Sequence, residues 1–406
     1  MNILNKWDEI KKLRANIHFL SFIIPPFYKF AAMKIGFDAK RLFLNNTGLG
    51  NYSRTLVRNL QQFHPENDYH LYTPKIKQTT ENTAFAAPPF HLYTPTTLFK
   101  SYWRSRGIVS QLKLDKLDIF HGLSHEIPVG LNRSKIKTVV TIHDLIFKTN
   151  PETYKAIDRF IYDKKWAYSC KNADAIVAIS ESTKADIIKY YDVNPDKISV
   201  IYQPCQVLFY QMQSQGSILK IQEHDQLPKD FLLYVGSIQP RKNLLNLVKG
   251  YALLPKSLQI PLVLVGNGGK YKLKVKALIA ELKLEKQVIW LTNVAENHHL
   301  QAIYQLATAL VYPSLYEGFG LPVVEALLSK TAVITSNVSS MPEAGGEAAS
   351  YVNPDSVEEI GQAMEDVLGD GNERKRREEL GFNFAQKQFS NNKLTREMIE
   401  LYKNLL

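Results

Sequence analysis

At 406 residues the chain is too long for one ordinary hydrophobic core, so two domains are expected. Its only cysteines, Cys170 and Cys205, lack metal-ligand spacing, which excludes a disulfide scaffold or zinc ribbon and fits a reducing, cytoplasmic setting. The net charge of +11 calls for an anionic partner, but no helix-turn-helix, zinc-finger or RNP-like pattern is present, which argues against nucleic acid.

Residues 1–32 differ from the rest. Lys6, Lys11, Lys12 and Arg14 precede an apolar patch, Phe19 to Ile24, that Pro25-Pro26 interrupts. The patch is too short to span a bilayer, and no small-residue cleavage site follows it. Two readings stay open: a peripheral anchor on an anionic membrane surface at the inner face, or an extension upstream of the fold.

From Met33 onward, short apolar runs alternate with helical patterns, which predicts a parallel α/β sheet. Strands are expected at 34–39, 69–73, 119–122, 138–142, 175–179 and 199–202. Between the first strand and its helix lies Asn46-Thr47-Gly48-Leu49-Gly50-Asn51-Tyr52. Gly48 and Gly50 permit positive φ and a close backbone approach to a ligand, or serve only a tight turn. His143-Asp144 follows the strand at 138–142, where residues of an open α/β sheet line the ligand crevice. There His143 could serve a sugar hydroxyl, act as acid or base, or be structural. Asp144 is suited to capping the next turn, and Ser180-Glu181-Ser182-Thr183 reads as a helix start.

Residues 211–230 turn polar and irregular and are expected to link a first domain, 33–210, to a second, 231–389. The second alternation predicts strands at 231–235, 262–265, 288–291, 309–312, 332–335 and 350–352. After its first strand comes Gly236-Ser237-Ile238-Gln239-Pro240-Arg241-Lys242-Asn243. Two adjacent cations at a strand end are badly placed for packing and well placed for a diphosphate. Gly266-Asn267-Gly268-Gly269 adds a permissive loop after the next strand.

The stretch Val311 to Glu325, VYPSLYEGFGLPVVE, organises this half. A buried strand runs into a Gly-rich turn and then a helix with Pro322 in its first turn, where its missing N–H costs nothing. Such a connection aims backbone N–H groups and the positive helix end at one point, which suits a phosphate. Glu317 and Glu325 are then expected to face sugar hydroxyls, the alternative being an ordinary strand-to-helix connection with two surface glutamates. The run Arg374-Lys375-Arg376-Arg377, followed by Glu378 and Glu379, reads as a solvated helix face rather than a binding patch.

Seven segments together carry a family resemblance: TGLGNYSRTLVRNL, VTIHDLIF, AISESTKADI, LLYVGSIQPRKNL, LVLVGNG, ALVYPSLYEGFGLPVVEAL and SSMPEAGGEAASYVNP. The chain resembles a GT-B glycosyltransferase of the large retaining family four, the group 1 transferases, and within it the mannosyl- and glucosyltransferases. The resemblance implies an α/β fold of two doubly wound Rossmann-like domains with the donor site in the cleft between them, and a last helix, about 390–406, crossing back onto the first domain. It implies a nucleotide-diphosphate sugar as donor and a glycan or lipid-linked acceptor. Arg241 and Lys242 would neutralise the donor diphosphate and Glu325 would hold the ribose hydroxyls. Glu317, with the backbone of Gly318, Phe319, Gly320 and Leu321, would grip the donor sugar and its distal phosphate. Gly48 and Gly50 would face that phosphate, and His143 the reactive side of the sugar. Some relatives carry Arg where this chain has Ser237, which leaves more of the charge to Arg241 and Lys242.

No Asp-x-Asp occurs, so no metal and no other cofactor is expected. Two rivals are a catalytically silent sugar-nucleotide or glycan-binding subunit and a GT-B sugar-nucleotide epimerase. The intact set Glu317, Glu325, Arg241, Lys242 and His143 argues against the silent subunit.

Overall fold

The computed structural model describes residues 32–292, 294 and 296–406. Residues 1–31, on which the membrane-anchor reading rests, lie outside them. Lys34–Leu406 forms one unit built on two parallel sheets. The first holds β1 Lys34–Asp38, β2 Asp68–Tyr72, β3 Phe90–Tyr93, β4 Ile119–Gly122, β5 Lys137–Ile142, β6 Ala175–Ala178 and β7 Ile198–Val200, in the order β3-β2-β1-β4-β5-β6-β7. The second holds β8 Leu232–Val235, β9 Leu262–Val265, β10 Val288–Leu291, β11 Ala309–Tyr312, β12 Ala332–Ser336 and β13 Ser350–Val352, in the order β10-β9-β8-β11-β12-β13. In β8, β9 and β11 every residue is buried, which is why these runs read as continuously apolar rather than as alternation.

Chain order reverses between β1 and β4 and again between β8 and β11. Loops leaving the carboxyl ends of such neighbours turn to opposite faces and open a crevice. The loop after β8 carries Arg241 and Lys242, and the loop after β11 carries Glu317 to Gly320, so strand pairing delivers both to one place.

Three features depart from the sequence expectation or refine it. Strand β3 was not expected: its four residues lie between Pro89 and Pro95 and are only partly covered, because it is an edge. Residues 211–230 are not an irregular linker. Gln215–His224 is a helix capped by the Ser214 side chain, and Asp225 at its end pairs with His299 of the helix Asn297–Leu306. None of the helix's residues is fully buried, so it lacks the apolar period that would mark it. The basic run lies on the helix Gly371–Gln388, where Arg376 and Arg377 pair with Glu373 in a solvated face.

The last helix, Asn391–Leu405, buries Leu394, Met398, Ile399 and Tyr402 against the helix Gly48–Phe63 of the first half. The Tyr402 hydroxyl lies 2.6 Å from His121 Nδ1, and His121 Nε2 lies 2.8 Å from Thr141 Oγ1, within a buried chain. Cys170 and Cys205 are both buried and free. No helix among the described residues is long and apolar enough to cross a membrane.

Candidate active site

The site is built first around one carboxylate oxygen. Asn243, in left-handed conformation, donates to the carbonyls of Pro313 (3.1 Å) and Pro354 (2.6 Å), which fixes the short turn Pro240–Lys242 beside β11. Arg241 and Lys242 thereby converge on Glu317 Oε1, with Arg241 Nη1 at 2.8 Å and Lys242 Nζ in direct contact. Ser314 Oγ (2.7 Å) and the Tyr312 hydroxyl (3.0 Å) donate to the same oxygen. Burial alone would raise the Glu317 carboxyl, but Lys242 and Arg241 outweigh it and hold the group at about 2. Glu317 therefore does more than face a sugar. It positions both cations and cancels one of their two charges, while its Oε2 accepts from no described residue. Among the described residues Arg241 spends only Nη1, on Glu317 and the Tyr316 carbonyl, and the rest of its donor fork has no described partner.

The second component is backbone. Gly320 sits at φ +103°, which lets the chain enter the helix Leu321–Leu328 with Pro322 in its first turn. The N–H groups of Gly318, Phe319, Gly320 and Leu321 donate to no described residue, four consecutive donors at a helix start. The Phe319 ring itself is turned away onto Tyr202 and Phe389, with ring centroids at 5.5 and 5.3 Å. One turn on, Glu325 is buried and accepts from the Tyr304 hydroxyl at 3.0 Å on Oε2. Burial pushes its carboxyl up to about 8, against the lowering effect of that hydrogen bond.

The first half supplies the facing wall. His143 Nε2 donates to the Leu123 carbonyl at 2.9 Å, which fixes the tautomer and leaves Nδ1 as an acceptor. Burial lowers its pKa to about 4, so the ring is neutral. Tyr52 meets the ring edge-on at 4.6 Å, and its hydroxyl lies 2.9 Å from Thr141, which ties His143 to the buried chain ending at Tyr402. Asp144 caps the following turn by accepting from Ile146 N at 3.1 Å. Gly48 opens the helix Gly48–Phe63 at the cleft wall. Gly50 does not face the cleft: a Cβ there would lie 1.8 Å from the Asn45 carbonyl oxygen, so its smallness serves local packing. Neither glycine uses a positive φ.

All but Gly50 of the residues expected at the site line one cavity of about 470 Å³ between the two halves. Sequence reasoning missed what closes that cavity. Ser180 does cap its helix, but its hydroxyl also donates to the Gly318 carbonyl at 2.6 Å, and Thr183 Oγ1 donates there at 3.2 Å. Glu343 accepts from Glu181 N (2.7 Å) and Ser182 N (2.9 Å), and Tyr316 donates to Asp186. The only signal was the presence of Ser180 and Glu343 in two of the quoted segments. At Gly318 the halves meet backbone to backbone: a Cβ there would lie 2.0 Å from the His143 carbonyl oxygen. Gly318→Ala is therefore expected to hold the halves apart, weakening nucleotide-sugar binding at least tenfold while the melting temperature of the unliganded protein changes little. Calorimetric titration and thermal unfolding check the two effects separately.

The family model described as Glycosyltransferase Family 4 matches residues 46–205, and the one described as Glycosyl transferases group 1 matches residues 218–384. The chain is 29% identical to the O-antigen chain mannosyltransferase B of Escherichia coli over 92% of its own length and 100% of that protein's. It is 34% identical to the serotype-specific mannosyltransferase WbdA of Escherichia coli over 62% of its length, a match spanning 31% of WbdA. Among solved structures it is similar to Anabaena HepE crystallised with UDP and glucose, with a TM-score of 0.72, 16% identity and coverage of 92% of this chain and 100% of HepE. With one family model on each half and a matching two-sheet architecture, the chain belongs to the GT-B glycosyltransferases of family 4, group 1.

Proposed function

We propose that this glycosyltransferase moves a hexose of the mannose or glucose type from a nucleotide-diphosphate sugar to a hydroxyl of a glycan or lipid-linked acceptor, with retention, in polysaccharide or cell-envelope biosynthesis. The observation that carries the reading is the cleft itself. Arg241 and Lys242 line it together with Gly318 to Leu321, whose backbone N–H groups donate to no described residue, and with Glu325 one helical turn further on. The names of the O-antigen chain mannosyltransferase and the serotype-specific mannosyltransferase it resembles support the hexose, and the first of them the glycan acceptor.

Breaking the bond from anomeric carbon to phosphate oxygen builds positive charge on the sugar and negative charge on the leaving diphosphate. The two cations and the N–H groups stabilise that anion in place, an effect worth roughly several kcal/mol in a water-poor cleft. Glu317 is saturated on one oxygen and held ionised, a poor nucleophile but a fixed acceptor for a sugar hydroxyl through Oε2. The acceptor hydroxyl then attacks the face the phosphate leaves, and a phosphate oxygen takes its proton. His143 Nδ1, neutral and oriented, accepts from a hydroxyl on the reactive side of the sugar.

Incubation of nucleotide sugars with and without glycan acceptors tests the transfer, and NMR of the product anomer tests the retention. Inversion at the anomeric carbon, or no turnover with any donor that binds, would overturn the reading. Because protein cations carry the diphosphate, turnover is expected to persist in EDTA. Complete loss, restored by magnesium or manganese, would show that a metal shares this role.

A further inference from the structure

The first half carries a second cavity, of about 410 Å³, that shares no wall residue with the cleft. Tyr72, Phe120 and Ile127 make it largely apolar, and Arg104 crosses it between Asp38 (Nε, 2.8 Å) and Glu126 (2.8 Å). The cavity wall is shared by two helical segments, and both expose the wrong kind of residue for water.

On the helix Ala156–Asn172 the residues Ile157, Phe160, Ile161, Lys164 and Lys165 are exposed at the spacing i, i+3, i+4, i+7, i+8. That is one continuous stripe, and it begins apolar: Ile157 is 66% exposed and Phe160 63%. Of the two carboxylates of this helix, Asp163 lies off the stripe and is paired with Lys148 at 2.7 Å, while Asp158 borders it beside Ile161 and Lys165, which leaves the cations in excess along the stripe. In the other segment Leu98 is 92% exposed, Phe99 76% and Tyr102 62%, interleaved with exposed Lys100 and Arg106. No carboxylate occurs in the sequence between Glu81 and Asp115. The two segments are joined at Glu126, which accepts from Arg104 at 2.8 Å and from Lys165 at 3.3 Å.

We infer that this face docks on an anionic lipid leaflet, with the aromatic and aliphatic side chains at the headgroup boundary and the lysines and arginines on lipid phosphates. Charge selects this occupant. A second copy of the chain would set Arg106, Lys164 and Lys165 against their own kind, and the chain's own apolar patch at Phe19 to Ile24 follows four further cations. The inference deepens the proposed function, since a leaflet is where a lipid-linked acceptor resides, but it is measured independently of donor chemistry.

The test is co-sedimentation of the full chain with vesicles of phosphatidylglycerol and phosphatidylcholine, and with phosphatidylcholine alone. The protein is expected to pellet with the anionic vesicles at low salt and to be released at high salt. Phe99→Asp/Phe160→Asp/Ile161→Asp should lower the partition coefficient at least tenfold, about 1.4 kcal/mol, with nucleotide-sugar binding unchanged as proof of folding. Arg106→Glu/Lys164→Glu, which keeps the apolar residues, should abolish the preference for anionic vesicles. The inference is overturned if the triple variant pellets like the parent, if the parent stays in the supernatant at low salt, or if light scattering shows a dimer that the triple variant dissolves. Vesicle binding with no donor turnover would instead count against the glycosyl-transfer reading and leave this one standing.

Discussion

The double variant Arg241→Ala/Lys242→Ala is expected to bind the donor nucleotide at least tenfold more weakly than the parent, a loss on the order of 1.4 kcal/mol or more. The reason is electrostatic placement. Each side chain gives part of its donor set to Glu317 and retains the rest, and together they leave one net positive charge beside the four free N–H groups of Gly318 to Leu321. A second effect runs alongside. Removal of both cations strands a buried carboxylate, and its pKa, now held at about 2 against an ordinary 4.5, would climb. A depressed carboxyl contributes stability that is fully present above 4.5 and is lost as pH falls through 2. At neutral pH the double variant therefore forfeits on the order of 3 kcal/mol of folding stability. Adding Glu317→Gln removes the stranded charge and should restore much of the melting temperature without restoring affinity. Unchanged nucleotide affinity in this triple variant, measured by calorimetric titration, would remove the diphosphate role from the two cations.

How far the sequence discloses this site follows from how local each feature is. The loops after β8 and β11 were legible because each is a strand, a turn and a helix within a dozen residues, and because adjacent cations or glycines at a strand end have few packing uses. The doubly wound order then brings the two loops together, so the meeting of Arg241, Lys242 and Glu317 needs only that order and no knowledge of distance. Contacts across the cleft were illegible for the opposite reason. The hydrogen bonds from Ser180 and Thr183 to the Gly318 carbonyl join residues more than a hundred apart, and a Ser at a helix start has an adequate local use as a cap. Gly50 misled in the same way: its smallness was real, but the group it accommodates is the Asn45 carbonyl five residues back. The helix Gln215–His224 went unseen because a helix with no buried residue shows no period.

Affinity for the nucleotide sugar is expected to rise with pH up to about 8 and then level off, through Glu325. Burial holds this carboxyl at about 8 in the unliganded protein, so at pH 7 it is mostly protonated, with Tyr304 on one oxygen and the other without a described partner. Ribose hydroxyls that donate to Glu325 favour its ionised form and lower its pKa in the complex. Binding then expels a proton below pH 8, and each unit of acidification weakens it by up to tenfold, about 1.4 kcal/mol. Above 8 the group is already ionised and the slope vanishes. His143, at about 4, and Glu317, at about 2, lie outside this window, and a nucleotide sugar has no phosphate ionisation within it. Glu325→Gln should bind about tenfold more weakly at pH 8 and lose the slope. A 2′-deoxy donor, which offers one hydroxyl fewer, should lose less than the ribonucleotide on this substitution. Charge-assisted hydrogen bonds, roughly twice as strong as neutral ones, set that difference. Titration calorimetry at pH 6, 7 and 8, in buffers of different ionisation enthalpy, counts the released proton directly. A flat affinity profile for the parent, or equal losses for the ribo and deoxy donors in the Gln variant, would take the ribose away from Glu325.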